Sequence, residues 1–278
     1  MTGRVDFSGV QSTMLVTLYL RALESRSEDS ILRDHAAAEA VRRIDYDWRK
    51  LQQPGLAGNR FGVALRAKQL DDWAAGFLRR NPDATVLQLG CGLDSRAFRL
   101  DLPPGVRWFD VDLPDVVELR RDLYPDADGY RTIGASVTDP GWLAGIPADR
   151  PVLVIAEGLL MYLPTVEVER LLRRITDRFR GGELIFDGVA PWVAGFTQRL
   201  PERLRRGYPP YLTPLRASRD VERWDPRLRY VEDVAVTSQF AKIPDRTARA
   251  AHRLMSRSPA LRDWLRLVRA EFGTSADG

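Results

Sequence analysis

Val86-Leu87-Gln88-Leu89-Gly90-Cys91-Gly92-Leu93-Asp94-Ser95 carries a short, mostly apolar run into a Gly-x-Gly turn. With Thr85 the run has the length of a strand covered on both faces, and glycine lets the chain turn with positive φ and lets a ligand approach the backbone. In an open α/β sheet, ligands bind outside the carboxyl ends of the strands, near the point where the strand order reverses. The turn at Gly90 and Gly92 is therefore the expected place of a bound ligand.

Outward from this turn, strand and helix patterns alternate. Before it, the spacing predicts a helix over 60–80, with Phe61, Leu65, Leu70, Trp73 and Phe77 on its apolar side and Asn81-Pro82-Asp83 as its stop. The first 50 residues read as helices, from Met14, Leu15, Leu18 and Ala22 and from Ala37, Ala40, Val41 and Ile44, followed by a loop over 53–59. After the turn come strands over 106–111, 130–135, 151–156, 182–186 and 228–237, with helices over 114–123 and 165–179 between them. The segment 265–272 fits a last strand or a terminal helix. This rhythm predicts a doubly wound, mostly parallel sheet in one domain over 1–278. Residues 1–58 are expected as a helical segment over the site. Residues 192–225 mix Arg, Pro and Tyr, as in Pro209-Pro210-Tyr211, and are expected as an inserted cap.

Composition narrows the function. The 278 residues are 44% hydrophobic and 29% charged, enough apolar material for one large core. One cysteine, Cys91, forms no internal disulfide, and with His35 and His252 as the two histidines no Cys/His zinc site is expected. The net charge of +4 rests almost wholly on arginine, since only Lys50, Lys68 and Lys242 are lysines. The densest run, Arg199, Arg203, Arg205 and Arg206, reads as a solvated helix face and not as a nucleic-acid footprint. No signal peptide or spanning segment is expected, which points to the cytoplasm and away from a membrane.

Two cofactor chemistries use a turn like that at Gly90. A nicotinamide dinucleotide needs its pyrophosphate cradled at the helix start, usually with a third glycine. Here that position is Ser95, and Asp94 sets a negative charge beside the phosphate. S-adenosylmethionine carries no phosphate, so neither residue opposes it. The second strand ends in Trp108-Phe109-Asp110-Val111-Asp112-Leu113-Pro114. A carboxylate there accepts hydrogen bonds from ribose hydroxyls, and Asp112 stands closer to the strand end than Asp110. The same charge also suits the start of the helix that follows.

Across nearly its whole length the chain resembles the leucine carboxyl methyltransferase superfamily, and most the bacterial branch of tetracenomycin-type polyketide carboxyl methyltransferases. The resemblance is carried by Leu89-Gly90-Cys91-Gly92-Leu93-Asp94-Ser95-Arg96, Phe109-Asp110-Val111-Asp112-Leu113-Pro114 and Ala156-Glu157-Gly158-Leu159-Leu160-Met161-Tyr162-Leu163. Ser136-Val137-Thr138-Asp139-Pro140-Gly141-Trp142 and the opening Val5-Asp6-Phe7-Ser8-Gly9-Val10 add to it. It implies a Rossmann-like class I methyltransferase with a seven-stranded sheet and S-adenosylmethionine as cofactor. It implies that Gly90 and Gly92 lie under the methionine part, that Asp112 holds the ribose, that Arg66 clamps the cofactor carboxylate, and that Glu157 stands near the sulfonium and amino group. Ser136 and Val137 occupy the adenine loop, where relatives usually carry an acid; relatives also show Asp-Pro where this chain has Asp34-His35. A glutamate at the end of a buried strand needs a partner, and a cationic cofactor or a local arginine each supplies one.

Methyl transfer from a sulfonium is an in-line displacement. A carboxylate acceptor, with a pKa near ~4, arrives ionised and needs no base, whereas a phenol near ~10 needs one. A chain this poor in histidine therefore favours a small carboxylic acid, aromatic or polyketide-type, over a phenol. Tyr162 is the candidate to orient the acceptor oxygen, and Tyr19 and His252 are candidates to line the acceptor pocket. The alternatives are a phenolic hydroxyl, a peptide C-terminal carboxylate, a modified tRNA base, a nicotinamide oxidoreductase, and a non-catalytic cofactor-binding protein. No metal is expected.

Overall fold

The computed structural model describes residues 10–52, 58–125, 127–201 and 209–273. Positions 5–9 of the opening motif, 53–57 of the predicted loop, and Arg203, Arg205 and Arg206 of the basic run lie outside the described residues.

Seven strands form one sheet: β1 (Thr85–Leu89), β2 (Arg107–Asp112), β3 (Tyr130–Gly134), β4 (Val152–Ala156), β5 (Gly181–Val189), β6 (Arg229–Ala235) and β7 (Leu265–Gly273). Their order is β3-β2-β1-β4-β5-β7-β6. β1 pairs in parallel with β2 and with β4, β2 with β3, and β4 with β5, whereas β7 runs antiparallel between β5 and β6. The strand order reverses between β1 and β4, so the turn at Gly90 and the residue after β4, Glu157, meet at the switch point.

The helices used below are α1 (Val10–Glu24), α2 (His35–Arg43), α3 (Arg60–Arg80), α4 (Pro114–Leu123), α5 (Thr165–Arg178), α6 (Pro191–Arg199) and α7 (Arg246–Arg257). Alternation along the central strands sends neighbours to opposite faces. Val86, Trp108, Leu153 and Ile155 pack with Leu65, Leu70, Trp73 and Phe77 of α3. Leu87, Val111 and Val154 pack with Val168, Leu171, Leu172 and Ile175 of α5. Burial on both faces explains why β1 and β4 read as unbroken runs.

A third cluster joins α1 and α2 to α4 through Met14, Leu18, Val41, Val116 and Leu119. This seats α1 against the carboxyl edge of the sheet. Between β5 and β6, the chain returns over the ends of β4 and β5: Leu212 N donates to Met161 O (2.7 Å) and Leu215 N to Val189 O (2.8 Å).

One strand runs beyond its expected bounds, and one open alternative is decided. β5 continues through Asp187 and Gly188 to Val189, because β7 pairs with it along its full length; the charge of Asp187 hides this continuation in the sequence. The ambiguous segment near the end is strand β7, with Leu267 packed on one face of the sheet and Val268 and Ala270 among the residues on the other. Among the described residues, no helix is long and apolar enough to cross a membrane.

Candidate functional site

The turn after β1 is held open by its glycines. Gly90 and Gly92 have φ of +59° and +49°. A Cβ on Gly90 would stand 2.8 Å from Leu159 Cδ1, and one on Gly92 would stand 3.2 Å from Met14 Cβ. Both the backbone conformation and the close approach therefore require glycine. Cys91 lies buried between them, and burial pushes its thiol up, so it stays protonated and is a packing residue.

Arg120 of α4 clasps this turn from below. Its wholly buried guanidinium donates to Gly92 O (2.9 Å) and Asp94 O (2.7 Å) and pairs with Asp110. Asp110 also accepts from Trp108 Nε1 (2.8 Å) and Tyr130 OH (2.6 Å). Asp110 is therefore committed to the interior. Asp112 accepts from Gly92 N and Leu113 N, each at 2.7 Å, and lines a cavity. Burial pushes the Asp112 carboxyl above its ordinary value despite those two donors.

That cavity, 320 Å³, brings together Arg66, Gly90, Gly92, Asp112, Ser136, Val137, Glu157 and Tyr162. They come from α3 and from the ends of β1, β2, β3 and β4. Ser136 Oγ is bonded to Thr138 Oγ1 at 2.8 Å. The cavity also contains residues not anticipated above: Thr13, Thr17 and Arg21 from α1, and Gln88, whose Nε2 donates to Asp94 Oδ2 (2.9 Å) and whose buried Oε1 has no partner. Thr13, Thr17 and Arg21, spaced four residues apart in a mostly apolar helix, are the sequence signal for the α1 wall.

Glu157 joins the cavity to a buried set of charges. Its Oε2 accepts from Arg96 Nη2 (2.5 Å), and its Oε1 lies 2.9 Å from Arg66 Nε without forming a hydrogen bond there. Burial works to raise the Glu157 pKa, but Arg66 and Arg96 outweigh it and hold the carboxyl below its usual range. Arg66 Nη1 donates to Asp187 Oδ2 (3.1 Å). Arg96 in turn binds Asp71 Oδ1 (2.6 Å), and Arg99 binds Asp71 Oδ2 (2.7 Å) and Asp94.

A second cavity, 460 Å³, adjoins the first and shares Thr13, Thr17, Arg66, Gly158 and Tyr162 with it. Its other walls are largely apolar and aromatic, including Val16, Leu20, Val63, Met161, Val189, Tyr211 and Trp264. The Tyr162 and Tyr211 rings lie 5.2 Å apart, and burial pushes the Tyr162 phenol up, so it keeps its proton. Tyr19 and His252 are not among the residues lining either cavity. Tyr19 lies about 200° round α1 from Thr17 and stacks on Trp48 in the third cluster. His252 stands on α7, whose described residues are all at least partly exposed, and burial of its ring lowers its pKa. His35 is exposed at the start of α2.

The leucine carboxyl methyltransferase family model matches residues 14–176. The tetracenomycin polyketide synthesis O-methyltransferase TcmP of Streptomyces glaucescens is 48% identical over 194 residues, 70% of this chain and 71% of that protein. The S-adenosyl-L-methionine-dependent methyltransferase dpfgK of Gibberella zeae is 35% identical over 261 residues, 87% of each chain. In fold, a crystal structure from Thermobifida fusca superposes with a TM-score of 0.63 at 17% identity, covering 96% of each chain. The S-adenosylmethionine-dependent methyltransferase of Mesorhizobium loti superposes at 0.50 and 16% identity, over 72% of this chain and 97% of that one.

Proposed function

We propose that this chain, which belongs to the leucine carboxyl methyltransferase family, forms methyl esters on the carboxylate of a small aromatic or polyketide-type metabolite. It is an S-adenosylmethionine-dependent O-methyltransferase with a seven-stranded class I fold.

The first cavity fits that cofactor on three observations. Asp112 is a carboxylate whose two backbone donors leave acceptor capacity for a ribose. The glycine turn gives the close backbone approach that a bulky ligand needs. Gln88 Oε1 is a buried polar atom on the cavity wall with no hydrogen-bond partner among the described residues. In this reading Asp112 holds the ribose, Ser136 and Val137 border the adenine, Gly90 and Gly92 lie under the methionine part, and Arg66 and Glu157 take its carboxylate and amino group. Bound there, the cofactor supplies a methyl group on a cationic sulfur.

The second cavity supports the choice of acceptor. Among its described lining residues there is no histidine, aspartate, glutamate, lysine or cysteine. A phenol would find none of those bases among the described lining residues, whereas a carboxylate needs none. Tyr162 retains its proton and so donates to the acceptor oxygen instead of deprotonating it. The apolar and aromatic walls hold the body of the acceptor and exclude water, so catalysis rests on alignment and desolvation.

The test uses methyl-labelled S-adenosylmethionine with matched aromatic carboxylic acids and phenols. The expected product is a methyl ester that releases labelled methanol in mild alkali. A label that survives alkali as an aryl methyl ether contradicts the carboxylate reading.

A further inference from the structure

We propose that Asp187 is a positioning residue: it fixes the Arg66 guanidinium and the Gly158 backbone at the wall shared by the two cavities. The proposal rests on the reading of Arg66 as a cofactor contact. Asp187 lies in the carboxyl half of β5, opposite Leu267 of β7, and is wholly buried. It is not among the residues lining either cavity, so it acts through others.

Its two oxygens have separate partners. Oδ1 accepts from Gly158 N at 2.6 Å, and Oδ2 accepts from Arg66 Nη1 at 3.1 Å. Gly158 has φ of +64° and directly follows Glu157, so the first bond sets the direction of the backbone that presents Glu157. The second bond opposes the pull of Glu157, whose Oε1 lies 2.9 Å from Arg66 Nε. A guanidinium is a rigid planar fork, and two anchors on different nitrogens define its plane. Without Asp187, Arg66 is free to turn its fork onto Glu157 as a bidentate pair, which removes both groups from ligand binding.

Burial pushes the Asp187 carboxyl above its ordinary value. A wholly buried carboxyl joined to two groups on the cavity wall is what a positioning role requires.

The experiment is a double-mutant cycle read by calorimetry with S-adenosylhomocysteine, on wild type, Asp187→Asn, Arg66→Gln and the double variant. Each single change is expected to weaken binding about tenfold, from loss of a hydrogen bond between charged groups. The double variant is expected to bind no worse than Arg66→Gln alone, because the amide oxygen of asparagine still accepts from Gly158 N and only the bond to Arg66 is lost. A purely structural Asp187 would instead give losses that multiply, which overturns the proposal, as does wild-type binding by Asp187→Asn. Wild-type binding by Arg66→Gln overturns the cofactor role of Arg66, and this proposal with it. Should Asp187→Asn not fold, Arg66→Lys tests the same point: a single ammonium cannot reproduce the two-anchor fork, so binding about tenfold weaker than wild type is expected. Unchanged binding would show that charge alone suffices and would overturn the proposal.

Discussion

Asp110 and Asp112 stand two places apart on β2 and serve different ends. Asp110 is enclosed by Arg120, Trp108 and Tyr130, while Asp112 meets the cavity with only backbone donors on its oxygens. Their order along the strand was enough to prefer Asp112 for a cavity position, because the strand end faces the cavity. The fate of Asp110 was not legible, since its partner Arg120 comes from the following helix. Burial raises the Asp112 pKa above its ordinary value, and in the proposed reading the ionised form holds the ribose. S-adenosylhomocysteine affinity is therefore full above that raised value and declines as pH falls through it. Titration calorimetry from pH 7 downward should show this decline in wild type. Asp112→Asn should bind about tenfold more weakly at pH 7, from loss of a charged hydrogen bond. It should also lack that acid limb; a limb of unchanged position in the variant would assign it to another group.

At the scale of elements, α4 does more than fill a face of the sheet. Arg120 bonds two carbonyls of the cofactor turn and the buried Asp110. Arg120→Met leaves Asp110 buried without its cation, which should cost about 3–5 kcal/mol of stability in denaturant unfolding. A loss below about 0.5 kcal/mol would mean that Arg120 is not the clasp.

The same scale shows what periodicity reveals and where it stops. The bounds of α3, of α4 and of β1 were legible, because apolar spacing and a clear stop or start (Asn81, Pro114, Gly90) coincide there. The cavity face of α1 was not. Tyr19 suggested itself by chemistry, yet rotation about the helix axis puts Thr13, Thr17 and Arg21 on the cavity and Tyr19 in the core. β5 looked shorter than it is because Asp187 breaks its apolar run. The inference drawn for Glu157, that a carboxylate in a buried strand needs a partner, applies equally to Asp187.

At the scale of the molecule, buried charges connect the parts. Asp71 on α3, Asp94 after β1 and Glu157 after β4 are tied together by Arg96, with Arg99 on Asp71 and Asp94, and Arg21 of α1 lies 3.5 Å from Asp94. Burial alone would raise all three carboxyls, but the arginines hold them below their ordinary values.

Groups whose folded pKa is depressed stabilise the fold fully above their unfolded values, near pH ~4, and that contribution is lost as pH falls below them. Urea unfolding at pH 7, 5, 4 and 3 should therefore show stability falling below about pH 4. The fall should resist added salt, because these side chains are at most 7% exposed. Stability that stays level to pH 3 would contradict the network's role. Of this network only the need of Glu157 for a partner was legible beforehand: an arginine-rich sequence gives no sign of which guanidinium is buried. The sheet and the order of the motifs were legible because they depend on local spacing.

The central claim is that donor and acceptor meet at the wall formed by Arg66, Gly158 and Tyr162. A crystal structure of the protein with S-adenosylhomocysteine tests it most directly. The ribose hydroxyls are expected on Asp112 and the sulfur at the opening into the 460 Å³ cavity. A ribose held elsewhere, or a sulfur turned away from that cavity, would contradict it.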